Sequence, residues 1–190
     1  MKTNITMQFL RKPLTTGAIC PSSAELSRLM TSDIGLENAK VVVELGPGTG
    51  AITRFILPKL KSGADFFAIE LNESVIPIFK ERFPGCGIYN ESASTLPGLL
   101  KQRGKGLADV ILSGLPWASF SNGLQDELLT AILNSLPEGG SFATFAYLQG
   151  VVLPTGIKFK RKLRQYFRRV QISRIAWMNL PPAFVYRCWK

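Results

Sequence analysis

Apolar positions along the chain fall into short β-branched or aromatic runs, separated by stretches with helical spacing. Residues 39–44 (Ala-Lys-Val-Val-Val-Glu) form the first run and stop at Gly46-Pro47-Gly48-Thr49-Gly50. The stretch from Ile52 to Leu60 then repeats in a helix-like way. Asp65–Glu70 reads as a second strand that ends on an acid. Asn72 caps a helix through about Phe83, with Val75, Ile76 and Phe79 on one face. A short third strand is predicted near Gly87–Asn90, and a fourth over residues 109–113, just before Gly114-Leu115-Pro116-Trp117. A helix from Asn122 or Gly123 through Leu136 leads over Pro137-Glu138-Gly139-Gly140 into a fifth strand, Ser141–Tyr147. Val170–Trp177 and Ala183–Trp189 read as two last strands joined by Met178-Asn179-Leu180-Pro181-Pro182. Ahead of the first strand, residues 1–35 read as one or two helices, with Ser22 or Ser23 capping Ala24–Met30.

Five alternations of strand and helix predict a parallel sheet with helices on both faces. The short link between the last two strands makes them an antiparallel hairpin at one edge. The expected architecture is therefore α/β: a doubly wound, mostly parallel sheet of seven strands in a single domain, residues 1–190. Within it, 36–190 form the core and 1–35 a helical N-terminal segment. A chain of 190 residues can bury roughly 70% of the surface it exposes when unfolded. No apolar run approaches the roughly 20 residues that span a bilayer as a helix.

Composition narrows the chemistry. The chain has no histidine, which excludes Ser/His and Cys/His nucleophile pairs, His-ligated zinc and a histidine general base. Cys20, Cys86 and Cys188 are far apart and lack CxxC spacing, so neither a thiolate metal site nor a disulfide framework is expected, and no metal is assigned. Reduced thiols and the lack of a signal peptide read as cytoplasmic. The net charge of +10 is uneven: residues 151–190 hold 10 of the 23 Lys and Arg and none of the 13 acids, leaving 13 of each sign in residues 1–150. Seven of those ten lie between Lys158 and Arg169, among them Lys160, Arg161 and Arg164. Phe159, Leu163, Tyr166 and Phe167 give the same segment one apolar helical stripe. A helix packed on the domain with solvated charges explains this segment; so does attraction to a nucleic-acid backbone or an anionic membrane.

The glycine run carries the chemistry. In Glu44-Leu45-Gly46-Pro47-Gly48-Thr49-Gly50 a glycine loop joins a strand to a helix, letting the backbone approach a ligand at the helix N-terminus. Glu70 ends the next strand, where a carboxylate can accept hydrogen bonds from both ribose hydroxyls. Together they describe an adenosine-containing ligand at the switch point of the sheet. Gly46, Gly48 and Ala51 also satisfy the dinucleotide pattern, but the acid at Glu44 and the lack of room for a substrate domain speak against NAD. The Glu-x-Gly-x-Gly-x-Gly form resembles motif I of the class I S-adenosylmethionine-dependent methyltransferases, which have a Rossmann-like fold and a seventh strand antiparallel beside the fifth. That resemblance implies S-adenosylmethionine as cofactor. Glu44 would lie toward its methionine ammonium, Glu70 and Leu71 at the ribose, and Glu91 and Ser92 near the adenine amine. Ser113-Gly114-Leu115-Pro116-Trp117 resembles the Asn/Asp/Ser-Pro-Pro-Tyr loop of amino-methylating members with one added glycine. It implies that Ser113 lies beside the cofactor and that it or its carbonyl holds the target nitrogen, and that Trp117 walls the substrate, with simple packing as the alternative for that ring. Tyr147, at the end of the fifth strand, is a further candidate wall or orienting group, with capping of the strand as its alternative.

The whole chain resembles the small soluble bacterial phospholipid N-methyltransferases. The resemblance lies in Phe9-Leu10-Arg11, Thr16-Gly17-Ala18-Ile19-Cys20-Pro21-Ser22-Ser23, the glycine motif, and Trp177-Met178-Asn179-Leu180-Pro181-Pro182-Ala183-Phe184-Val185-Tyr186-Arg187. It implies methylation of phosphatidylethanolamine toward phosphatidylcholine by a monomer at the inner membrane leaflet. Residues 1–35 would then act as lid and docking segment. Ile5, Phe9 and Leu10 with Lys2, Arg11 and Lys12 can form an amphipathic interfacial helix. Lys160, Arg161 and Arg164 would add attraction to anionic lipid, and Arg187 would meet a lipid phosphate. The alternatives are an rRNA adenine N6-dimethylase, whose group has an Asn-Leu-Pro-Tyr type loop but normally a further RNA-binding domain, and a methyltransferase of another small lipid or amine.

Overall fold

In a computed structural model that describes residues 22–190, the strands form one sheet in the order β3-β2-β1-β4-β5-β7-β6. They are β1 (Val41–Leu45), β2 (Asp65–Ile69), β3 (Gly87–Tyr89), β4 (Val110–Ser113), β5 (Ser141–Tyr147), β6 (Arg169–Ile172) and β7 (Ala183–Trp189). β1 pairs in parallel with β2 and β4, β2 with β3, and β4 with β5. β7 runs antiparallel to both β5 and β6. The seven-stranded, mostly parallel sheet read from the sequence is the observed one. The terminal hairpin slots its second strand inside, so β6 alone forms that edge.

Every residue of β1 is buried, as expected of a central parallel strand with both faces covered. Alternate side chains separate into two cores. Val41, Val43 and Leu45 pack with α4 (Leu96–Gln102), α5 (Asn122–Ser135) and α6 (Pro154–Tyr166). Val42, Ala68 and Leu112 pack with α1 (Ala24–Met30), α2 (Thr53–Ile56) and α3 (Ile76–Arg82). Ser23 caps α1, its side chain accepting from the amide of Leu26. From β1 the chain winds outward to β3 and then returns to β4 on the other side. The carboxyl ends of β1 and β4 thus border the crevice that such a reversal leaves open.

Four details differ from expectation, each with a local cause. The segment after the glycine loop is α-helical only over Thr53–Ile56 and continues as a 3₁₀ turn, Leu57–Lys59, because Pro58 has no amide to extend the ladder. Asn72 caps a 3₁₀ turn at 73–75 before α3 begins. β6 ends at Ile172 because Ser173 Oγ takes the amide of Val185 at 2.9 Å in place of a ladder carbonyl. In the basic segment Phe159, Leu163 and Phe167 are buried as predicted, but Tyr166 is exposed and Arg169 belongs to β6.

Candidate active site

Gly46, Gly48 and Gly50 all have left-handed backbone, with φ of +68°, +56° and +85°. At Gly50 a Cβ would also lie 2.0 Å from the Phe83 ring, and at Gly46 2.7 Å from Leu115 Cδ2. Only glycine serves at these two positions. A Cβ at Gly48 would meet nothing within 4 Å, so this stretch of the loop borders open space. Glu70, just past β2, ties the loop down: Oε2 accepts from the Gly48 amide at 3.0 Å and Oε1 from the Asn72 amide at 2.9 Å. Asn90 in turn holds this corner, its Nδ2 donating to the carbonyls of Glu70 and Leu71. Each Glu70 oxygen keeps a second lone pair for a ligand hydroxyl. Burial raises its pKa, with the amide bonds opposing the rise.

Glu44 is fully buried on β1, where Oε2 accepts from Thr53 Oγ1 at 2.6 Å and Oε1 has no partner among the described residues. Burial pushes its pKa up to about 8; the Thr53 bond opposes this and the nearby Glu70 charge adds to it. A buried carboxyl oxygen left unpaired beside a glycine cradle fits a ligand that brings a donor or a cation. It suits the ammonium end that the motif assigns to S-adenosylmethionine. Below pH 8 the folded protein then holds a proton that a bound ammonium must displace. Affinity for S-adenosylmethionine is therefore expected to rise with pH, by up to about tenfold per unit, and to level off near pH 8. Titration calorimetry in buffers of different ionisation heat would show the released proton, and Glu44→Gln should flatten the profile. By the same linkage, this group makes the ligand-free fold less stable as pH rises from about 4.5 to about 8.

Beside Glu70 lies a slot lined by Leu71, Glu91, Ser92, Ala93, Leu115 and Phe120. The residues expected around ribose and adenine, Glu70, Leu71, Glu91 and Ser92, are thus brought together. Glu91 is exposed, and Ser92 Oγ caps the turn at 93–95 by accepting from the Ser94 amide. The apolar lining residues Leu115, Phe120, Leu124 and Leu128 were missed in the sequence: Leu115 and Phe120 flank the 3₁₀ turn Trp117–Ser119 and carry no periodic signal, while the spacing of Leu124 and Leu128 on α5 signals only a core face. Thr53 was missed as well; it follows the glycine run by three residues, a spacing that could have flagged it. A larger cavity, lined by Asp33, Asn38, Asp109, Glu138 and Ser141 among others, opens at the amino ends of β1, β4 and β5, away from these residues.

The loop after β4 corrects two expectations. Ser113 is buried, and its Oγ accepts from Trp117 Nε1 at 3.1 Å and from the Leu115 amide at 3.3 Å. Trp117 is only 2% exposed and stacks on Phe159 with ring centroids 4.6 Å apart. Its ring fills the core between β4 and α6 instead of walling an open cleft, and Ser113 orients that ring. The added glycine has a clear reason: a Cβ at Gly114 would lie 2.5 Å from the Gly46 carbonyl oxygen, and the Gly114 amide donates to Leu45 at 2.8 Å. Tyr147 ends β5, half-buried against Phe145, at the same end of the sheet as Glu70.

Arg187 requires a third correction. It lies mid-strand in β7, opposite Ala143. Its guanidinium is buried, donating to the Leu29 carbonyl at 2.9 Å and pairing with Asp33 at 3.3 Å. It therefore fastens α1 to the sheet and presents no cation to a lipid phosphate. Arg161 and Arg164 on α6 are exposed and Lys160 is half-buried. Phe9, Arg11 and Lys12 lie outside the described residues.

A glycine cradle, a buried carboxyl with one unpaired oxygen and an acid closing β2 at the switch point of this sheet fit a class I S-adenosylmethionine-dependent methyltransferase. The chain is 32% identical over 184 residues to an ornithine lipid N-methyltransferase of Singulisphaera acidiphila, covering 95% of this chain and 92% of that protein. It belongs to the same methyltransferase family as that relative. A shorter match, 39% identical over 54 residues, joins 28% of the chain to 20% of the ribosomal RNA small subunit methyltransferase A of a Sulfurihydrogenibium species. Among solved structures, an O-methyltransferase from Bacillus cereus in complex with SAH superposes with a TM-score of 0.70 at 11% identity, covering all of this chain and 93% of that one. No protein-family model matches the sequence.

Proposed function

We propose that the enzyme methylates the primary amine of an aminolipid head group, with phosphatidylethanolamine and ornithine lipid as the acceptors to compare. The observation that carries this reading is the nearly full-length similarity to a relative named for ornithine lipid N-methylation. Among the described residues no helix is long and apolar enough to cross a membrane. The reading is of a peripheral enzyme that reaches an anionic cytoplasmic leaflet through its excess positive charge.

When bound, S-adenosylmethionine supplies an electrophilic methyl group. The chain's own part is to hold the two reactants in line and to exclude water. The acceptor amine must arrive unprotonated. In a chain without histidine its proton passes to solvent, a carboxylate or the phenol of Tyr147 at the end of β5.

Methyl-labelled S-adenosylmethionine incubated with vesicles of phosphatidylethanolamine or ornithine lipid, each mixed with anionic lipid, tests the reading, with 16S and 23S rRNA run in parallel. Label is expected in lipid and should fall when anionic lipid is omitted. The ratio between the two vesicle types ranks the acceptors. Label confined to RNA would overturn the reading and turn the basic face of α6 over to phosphate contacts.

A further inference from the structure

Two groups of large apolar side chains stand out from the surface and take no part in the slot described above. On the loop between β6 and β7, Trp177, Met178 and Leu180 are 65, 80 and 73% exposed. Around the start of α6, Val152, Leu153 and Ile157 are also exposed. Chain topology brings both groups to the carboxyl end of the parallel strands. β5 runs into the turn 148–150 and then α6, and the loop enters β7 at Ala183, the register partner of Tyr147. The Leu148 amide donates to the Pro182 carbonyl at 3.0 Å, joining turn to loop. They share this end of the sheet with Gly46 and Glu70.

The loop is firmly held. Asn179 is buried, accepting from the Ser23 amide at 2.9 Å and donating to the Pro181 carbonyl at 2.7 Å. Glu25 accepts from the Met178 amide at 3.1 Å and pairs with Arg174. Ala176 bridges back to Ala183. The polar framework faces inward and is bonded, while the apolar side chains are held outward, a display that water alone does not favour.

Charge identifies the occupant. The acid touching the loop, Glu25, is neutralised by Arg174. Behind Ile157, within the next turn of α6, come Lys158, Lys160 and Arg161, and residues 151–190 contain no acid. An apolar tip backed by cations matches the boundary of an anionic bilayer, where apolar groups enter the acyl region and long basic side chains stay at the head groups. Tryptophan is at home at that depth.

We propose that Trp177, Met178 and Leu180, together with Val152, Leu153 and Ile157, form the rim by which the enzyme inserts into an anionic lipid bilayer. The inference rests on the aminolipid reading and deepens it, since insertion at this end turns the cofactor slot toward the head groups.

Trp177 reports directly on the proposal. Trp117 is buried and Trp189 closes β7 at the opposite end of the sheet, so subtracting the emission of Trp177→Phe from that of the native protein isolates it. With vesicles of phosphatidylethanolamine and phosphatidylglycerol carrying brominated acyl chains, that emission should shift to the blue and be quenched. Neutral phosphatidylcholine vesicles should leave it nearly unchanged. The triple variant Trp177→Ser/Met178→Ser/Leu180→Ser should bind anionic vesicles at least about tenfold more weakly, with its affinity for S-adenosylmethionine unchanged. Absence of quenching, or equal insertion into neutral vesicles, would overturn the proposal. So would Trp177 emission already blue and shielded from acrylamide without lipid, which would mean that another part of the chain or a second copy covers the rim. Quenching without methylation of any lipid would leave the docking surface standing and remove the acceptor reading; methylation without quenching would do the reverse.

Discussion

Glu70→Ala is expected to weaken S-adenosylmethionine binding at least about a hundredfold. A carboxylate that accepts from two ribose hydroxyls makes two hydrogen bonds to a charged group, each worth about 1.5–3 kcal/mol. With about 1.4 kcal/mol per tenfold change, the loss exceeds two orders of magnitude. The variant also strips the Gly48 and Asn72 amides of their acceptor, so the glycine loop loses its tether to β2. Glu70→Gln keeps one acceptor oxygen and should fall between the two. Titration calorimetry on the three proteins decides it; undiminished affinity in the alanine variant would remove the ribose from this position.

Trp117→Ala is expected to cost about 3–5 kcal/mol of stability, the range for deleting a buried aromatic side chain. For a chain of this size that lowers Tm by roughly 10 °C. Beyond the stack on Phe159, the indole lies edge-on to Phe120 and Phe142, so its removal opens a void between β4 and α6. Trp117→Phe retains most ring contacts but leaves Ser113 Oγ without its indole donor, and should cost much less. Thermal unfolding with saturating cofactor is the measurement. A stable alanine variant whose only defect is a raised KM for the acceptor would return the ring to the substrate side.

Glu44, Gly46 and Glu70 were legible in the sequence because each lies at a strand end marked by local signals: a β-branched run, a glycine cluster and an acid closing the next strand. Glu91 and Ser92 were expected near the cofactor from the resemblance to the class I methyltransferases, and the structure sets them with Glu70 and Leu71 along one slot. Trp117 and Arg187 were not legible, since their surroundings come from distant chain. Phe159 reaches Trp117 from α6, and Asp33 with the Leu29 carbonyl reaches Arg187 from α1 and the turn beyond it. An aromatic after a proline, or an arginine in a strand, looks the same in sequence whether it meets a ligand or a neighbouring helix. The terminal hairpin was readable from its short connection, whereas its early end at Ile172 depended on one serine hydroxyl replacing a ladder bond.

The close approach of Gly46 and Gly114 gives the enzyme a shared bearing surface. A Cβ on either glycine would strike the other loop, at Leu115 in one case and at the Gly46 carbonyl in the other, and the Gly114 amide clasps the end of β1. The strand that presents the cofactor cradle and the loop following β4 therefore shift as one piece. A side chain at residue 114 would disturb the cofactor cradle and the loop after β4 together.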